Sequence, residues 1–177
     1  MSDKSTLTLF AHYNQLMNAK VYAAAKSLGT PIVTNDYNAF FRSILGTLNH
    51  ILVADIIWLT RFANHPAQFR ALNIIVNFPK PTSLDQIIYD DLEKLEESRA
   101  SLDAAIIEFI HELKSEHLTS NLTYHNTKGA SFTKSFLHLL HHFFNHQTHH
   151  RGQVTTLLSQ HNTDIGSTDL LQLLPNV

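Results

Sequence analysis

The feature that most constrains this chain is the scarcity of residues that interrupt helices. Only five glycines and five prolines occur among 177 residues, and long segments contain neither. Because glycine and proline disfavour a helix interior most strongly, such segments can run as long helices. Apolar residues recur within them at the spacing of a helix that buries one face. We therefore expect an all-α fold.

Four segments show this helical periodicity. They cover roughly residues 5–28, 37–64, 83–113 and 131–160, the last starting at about 131 or 133. The third is predicted to begin at Ser83, because Ser83-x-x-Gln86 matches a capping box. Four long amphipathic helices predict a single four-helix bundle domain over residues 1–177.

The loops after the second and third helices are long for a bundle, so the topology need not be a plain up-down-up-down one. The stretch SNLTYHNTKGAS precedes the last helix and combines turn residues with a short β-like run. It would either close a small hairpin or simply order a loop.

Composition excludes several classes of function. The formal net charge is −2 with histidine neutral, which offers no basic face for nucleic acid. The chain has no cysteine, so disulfides, a cysteine nucleophile and a cysteine-based zinc site are excluded. The N-terminal residues lack the layout of a signal peptide, and no window holds 18 uninterrupted apolar residues. We expect a cytoplasmic protein that does not contact membranes.

The stretch HLLHHFFNHQTHHRGQ, residues 138–153, is unusually rich in histidine. On a helical wheel His150 falls within the apolar stripe and His146 at its edge. The other histidines lie on the flank or towards solvent; they are His138, His141, His142 and His149. The six histidines are therefore not equivalent.

His146 and His150 are four residues apart, so one helical face offers two imidazoles to one metal ion. A buried histidine is also often just hydrogen-bonded, and surface histidines can bind metal loosely. Gln147 stands where the HExxH protease signature has glutamate, which argues against a protease of that type. A metal site also needs a third ligand, for which the second helix offers His50 and Asp55. Periodicity favours Asp55, because it lies inside the apolar stripe.

Several stretches together resemble the DinB family, the metal-binding four-helix bundles that include YfiT-like proteins. They are FAHYNQLMNAKVYAAAKSL, LGTLNHILVADIIWLTRF, RFANHPAQF, LTYHNTKG and, most specifically, FFNHQTHHRGQVTTLL with its HxxxHRGQ motif. The resemblance implies that the metal ligands are His50, His146 and His150. Asp55 then becomes a buried polar partner, for example of Asn14 or of a group next to the ligands.

The resemblance also implies a type of activity. Three imidazoles leave open positions on a divalent ion, as in catalytic sites. Family members of known activity are similar to thiol-dependent transferases and isomerases, in which the metal activates a low-molecular-weight thiol. We expect a metal-dependent enzyme, of transferase or hydrolase type, that acts on an unknown small molecule as a homodimer. Zinc or nickel is favoured, with iron or manganese as alternatives. A non-enzymatic metal-binding or stress-response protein is the competing hypothesis.

Other residues near the motif carry weaker signals. Arg151 would make a structural ion pair or bind an anion, and we favour the structural role. Gln153 would face the site or the adjoining helix, and His142 and His149 would adjoin the metal or simply be exposed. Trp58 is expected in the core rather than as a platform for substrate.

Overall fold

The structure is a computed structural model and describes residues 2–174. Six α-helices and one two-stranded sheet make up a mostly helical fold. The helices are α1 (Asp3–Leu28), α2 (Thr30–Thr34), α3 (Ile44–Ala63), α4 (Leu92–Glu112), α5 (Ser115–Leu118) and α6 (Phe136–Ser159). The strands are β1 (Asn121–His125) and β2 (Ser131–Ser135), and two 3-10 segments cover Arg70–Asn77 and Leu170–Leu173. The expected helical character is confirmed.

The four long helices share one hydrophobic core. Helix α1 packs against α4 and α6, and α3 packs against α6 and more lightly against α4. Phe62 of α3, Phe109 of α4, and Phe136 and Phe143 of α6 meet at its centre with almost no exposed surface. Aromatic side chains of this size bury the most apolar area per residue, so this cluster fixes how the helices are spaced.

Helix α3 is the most buried of the long helices. By length and composition it could cross a membrane, and it is the one helix among residues 2–174 that passes this test. In the fold, however, 78% of its apolar window is buried against other elements. That burial is typical of the core helix of a soluble protein.

Of the two alternatives for the stretch before the last helix, the structure shows the hairpin. Strands β1 and β2 pair antiparallel, with Asn121 opposite Ser135 at one end and His125 opposite Ser131 at the other. Asn126 orders the turn, because its side-chain oxygen accepts hydrogen bonds from the backbone amides of Lys128 and Ala130.

The predicted start of the third helix at Ser83 is wrong. Helix α4 begins at Leu92, and Asp91 caps it by accepting a hydrogen bond from the backbone amide of Lys94. Residues 82–91 form an irregular segment, called the strap below, that lies across α3. The strap is not helical because the backbone amides of Ile88 and Tyr89 donate hydrogen bonds to the buried Asn49 of α3. The local sequence does not reveal such long-range hydrogen bonds.

The second helix also starts later than predicted. Residues 37–43 form a tight loop, in which the Tyr37 amide donates to the Arg42 carbonyl oxygen and the Arg42 amide to that of Ala39, and α3 begins at Ile44. Gly46 lets this loop approach closely, since a Cβ there would lie 2.1 Å from the carbonyl oxygen of Phe41. The loop consequently holds Phe41 over the start of α3.

Candidate metal site

Three histidines from two helices converge at one point. Helices α3 and α6 run antiparallel, which brings His50 near the start of α3 opposite His146 and His150 in the middle of α6. The Nε2 atom of His50 lies 3.3 Å from that of His146 and 3.2 Å from that of His150. The structure thus brings together the three histidines that the DinB resemblance selected.

Hydrogen bonds at the far ring nitrogens orient two of these histidines. His50 Nδ1 donates to the carbonyl oxygen of Leu84 in the strap at 2.7 Å, and His150 Nδ1 donates to Gln153 Oε1 at 2.8 Å. Because a neutral imidazole carries one proton, both Nε2 atoms are left with free lone pairs that point inward. Of the two positions expected for Gln153, at the site or at a neighbouring helix, the structure shows the one at the site.

Burial keeps the three rings neutral. It lowers the pKa of His50 to about 4, with a further lowering from the nearby His150. It lowers the pKa of His146 to about 3, and the charges of the neighbouring histidines act in the same direction. Burial also lowers the pKa of His150, against the opposing hydrogen bond to Gln153. At neutral pH the cluster therefore offers neutral nitrogen donors, the form that binds metal ions.

The donor set fits a divalent transition metal. Two nitrogens bound at about 2.05 Å in a tetrahedral arrangement lie about 3.3 Å apart, close to the distances of 3.3 and 3.2 Å from His50 Nε2 to the other two Nε2 atoms. Lone pairs converging at this distance repel one another, and a shared cation removes that repulsion. His146 and His150 remain partly exposed, so one side of the cluster is open to small molecules.

Two side chains that sequence reasoning missed build the closed side of the site. The ring of Phe41 stacks on the His50 imidazole, with centroids 3.8 Å apart. Asn49 has no exposed surface and fixes the strap by accepting hydrogen bonds from the amides of Ile88 and Tyr89. The only sequence signal for the role of Asn49 is its position directly before His50. The role of Phe41 has no signature in the sequence.

The division of the histidine-rich stretch is confirmed. His146 and His150 are partly buried, whereas the other four are exposed: His138, His141, His142 and His149. His142 nonetheless contacts the site region, since its ring lies 6.0 Å from that of His146. The ring of His149 lies 4.8 Å from that of His150.

Asp55 is not part of the cluster, so the preference that periodicity gave it was wrong. Its carboxylate pairs with Arg99 of α4 at 2.6 Å, and both side chains are almost completely buried. It does not bond to Asn14, which donates instead to Asp103 of α4. The wheel detected a real feature, a buried carboxylate, but α3 has two buried faces and Asp55 lies on the one towards α4.

Arg151 has the structural role that we favoured, although its partners are neutral. Its guanidinium donates hydrogen bonds to the side-chain oxygens of Asn14 and Asn18 on α1 and of Thr148 on α6. Those two asparagines in turn donate to Asp103. Arg151 therefore joins α6 to α1 and α4, on the opposite side of α6 from the histidine cluster.

A helical fold that presents three convergent, neutral imidazoles defines a class of protein whose site is compatible with a divalent metal ion. Sequence comparison agrees with this class and identifies the family. The chain belongs to the DinB family, which it matches over residues 1–174. It is similar to Protein DinB of Bacillus subtilis (strain 168), with 26% identity over 148 residues that cover 84% of this chain and 81% of the relative. No solved structure gives a significant match.

Proposed function

We propose that this protein is a metal-dependent enzyme of the thiol-transferase or isomerase type, built as a DinB-like four-helix bundle. His50, His146 and His150 are the proposed metal ligands. The observation that carries the proposal is the convergence of three Nε2 atoms on a partly open point, two of which keep a free lone pair because their Nδ1 atoms donate hydrogen bonds. A histidine cluster serving only to stabilise the fold would pair each ring nitrogen with a proton donor or acceptor instead.

The residues around the ligands fit this role. The Leu84 carbonyl and the Gln153 side chain hold two rings in the tautomer that leaves Nε2 free, and such partners strengthen metal binding. Phe41 covers one face of the His50 ring and also touches His150, while the strap covers the Nδ1 edge of His50. The partial exposure of His146 and His150 leaves room for a substrate atom on the other side.

A bound divalent ion would supply Lewis acidity and would lower the pKa of a thiol or water at its open position. The chain has no cysteine, so the thiol in this proposal comes from a second molecule. Imidazole ligands favour zinc or nickel over magnesium or calcium, and iron and manganese are compatible. We further propose that the protein is cytoplasmic and forms a homodimer. Light scattering on the purified protein tests the dimer.

Metal stoichiometry is the first test. We expect about one tightly bound metal ion per chain by elemental analysis, lost in His146→Ala and in His150→Ala. The matched controls His138→Ala and His141→Ala remove exposed histidines of the same helix and should keep the ion. Equal losses in all four variants, or several weakly held ions per chain, would instead support a non-enzymatic metal-binding protein.

Thiol activation is the second test. Cobalt substitution makes a metal–thiolate bond visible as an absorption band. Added 2-mercaptoethanol should produce that band in the cobalt protein but not in His150→Ala. A panel of thiols with electrophilic acceptors then tests turnover. A protein that binds cobalt but shows neither the band nor turnover with any pair would refute the thiol mechanism while leaving the metal site intact.

A further inference from the structure

Arg61 of α3 is a partly buried cation without a polar partner. Its guanidinium lies 4.5 Å from the ring centroid of Trp58 and 5.1 Å from that of Tyr124 in β1. Within residues 2–174 its side chain makes no hydrogen bond and no ion pair. The other arginines differ: Arg42, Arg99 and Arg151 have polar side-chain partners, and Arg70 is exposed to water.

Leaving a partly desolvated guanidinium without an anion is unfavourable, because the lost hydration is not replaced. Stacking on two aromatic rings offsets part of this cost but satisfies none of its N–H donors. Burial accordingly lowers the pKa of Arg61 from its ordinary value, although the group stays charged. This arrangement is typical of a site whose anion arrives with a ligand.

The position of Arg61 relates it to the histidine cluster. Eleven residues separate it from His50, which is about three helical turns, so both lie on the same face of α3. A chain of ring contacts through α6 connects them. The ring of Trp58 lies 5.1 Å from that of His142, which lies 6.0 Å from that of His146.

We propose that Arg61 binds a carboxylate of the substrate, with the rest of the molecule lying along the exposed or partly exposed side chains of Trp58, His142 and His146 up to the histidine cluster. The proposal names a substrate class for the proposed function and rests on it. Eleven residues of helix correspond to about 16 Å, so the substrate would be an extended acid of about the length of a tetrapeptide. Trp58 packs against the core as expected, and its ring is also partly exposed beside Arg61.

The first experiment tests the anion site without any metal. Trp58 is the single tryptophan of the chain, so its indole N–H resonance and its fluorescence report on the surroundings of Arg61 alone. In chelator-treated protein we expect benzoate to shift both signals saturably, and benzamide, which has the same shape without the charge, to bind at least about tenfold more weakly.

Variants of Arg61 decide whether this cation is responsible. Arg61→Gln should weaken benzoate binding about tenfold or more, and Arg61→Lys should give an intermediate value because it keeps the charge but loses the planar fork. Arg70→Gln removes the same charge from an exposed position and should bind like the parent. The Lys variant keeps the test valid if the Gln variant loosens the hairpin.

Equal benzoate binding by the parent and Arg61→Gln, or the absence of saturable binding, would overturn the proposal and leave Arg61 as a link between α3 and the hairpin. Because this titration contains no metal, its outcome is independent of whether the metal-dependent function is correct.

A second experiment identifies which molecule carries the carboxylate. In the cobalt protein, 11-mercaptoundecanoate is long enough to reach Arg61 from the histidine cluster. If the carboxylate belongs to the thiol, this acid should bind more tightly than its methyl ester, with the difference lost in Arg61→Gln. If the carboxylate belongs to the acceptor, acid and ester should bind equally while the benzoate result stands. Tighter binding of the acid that persists in Arg61→Gln would count against the proposal.

Discussion

Replacing Asp55 should mainly lower the stability of the fold and leave metal binding unchanged, whereas replacing His50 should abolish metal binding and lower the stability of the metal-free protein less. Both residues are acid–base side chains buried in α3, five positions apart, and either could be taken for a metal ligand from sequence. In the structure they face different neighbours: Asp55 pairs with Arg99, whereas His50 joins the histidine cluster. The two substitutions therefore separate a structural carboxylate from a metal ligand.

The cost of Asp55→Ala follows from its contacts. Breaking a buried ion pair by removing one partner costs about 3–5 kcal/mol, because the remaining charge is left uncompensated. Arg99 keeps a second carboxylate, Asp103 at 3.0 Å, so we expect about 3 kcal/mol. In a domain of this size that corresponds to a melting temperature about 6–12 °C lower. Metal stoichiometry should not change.

His50→Ala should abolish metal binding and cost less stability in the metal-free protein than Asp55→Ala. In metal-free protein His50→Ala removes the hydrogen bond to the Leu84 carbonyl and the stacking on Phe41, and it also removes lone-pair repulsion within the cluster, so we expect a loss of about 1–2 kcal/mol. The tightly bound metal ion should be absent, and with it the stabilisation that added metal gives the parent, about 2.7 kcal/mol at a hundredfold excess over Kd.

The assay is thermal and urea unfolding of chelated and metal-loaded protein, with elemental analysis of each sample. The exposed His138→Ala serves as the control for loss of an imidazole and should match the parent in both measurements. The reasoning would be refuted if Asp55→Ala lost the metal ion at unchanged metal-free stability, or if His50→Ala retained the ion.

Three further predictions concern the surroundings of the cluster. Gly46→Ala should displace the Phe41 loop, destabilise the protein by about 1–3 kcal/mol in urea unfolding and weaken metal binding, since the new methyl group would meet backbone; unchanged stability would contradict the close approach. Asn49→Leu should leave strap amides unpaired, cost about 2–4 kcal/mol and lower metal affinity about 10–100-fold, as measured by competition with a chelator, whereas Asn49→Asp should be milder. Metal-free protein should lose stability as the pH falls from about 6.5 to about 3, because the lowered pKa values of His50 (about 4) and His146 (about 3) make the unfolded chain bind protons first. His146→Ala should flatten this dependence in acid titrations followed by circular dichroism.

Much of the helical architecture could be predicted because its cause is local. Helix α6 carries apolar residues at a regular period, and that period alone separated the inward His146 and His150 from four exposed histidines. The hairpin was anticipated from turn residues, whose backbone preferences also act over a few positions. The start of α4 was not, because the long-range hydrogen bonds that strap amides donate to Asn49 outweigh the capping box at Ser83.

The third member of the histidine cluster marks the boundary between the two kinds of information. By itself the sequence determined long helices, an inward HxxxH pair and a buried carboxylate at Asp55. The identity of His50 as the third convergent histidine came from resemblance, since one wheel cannot represent a helix that buries two faces. Only the tertiary structure decided which face of α3 meets α6, and that Phe41 and Leu84 hold the His50 ring in place. The physical reason is that these contacts join residues far apart in the chain, where no local preference acts.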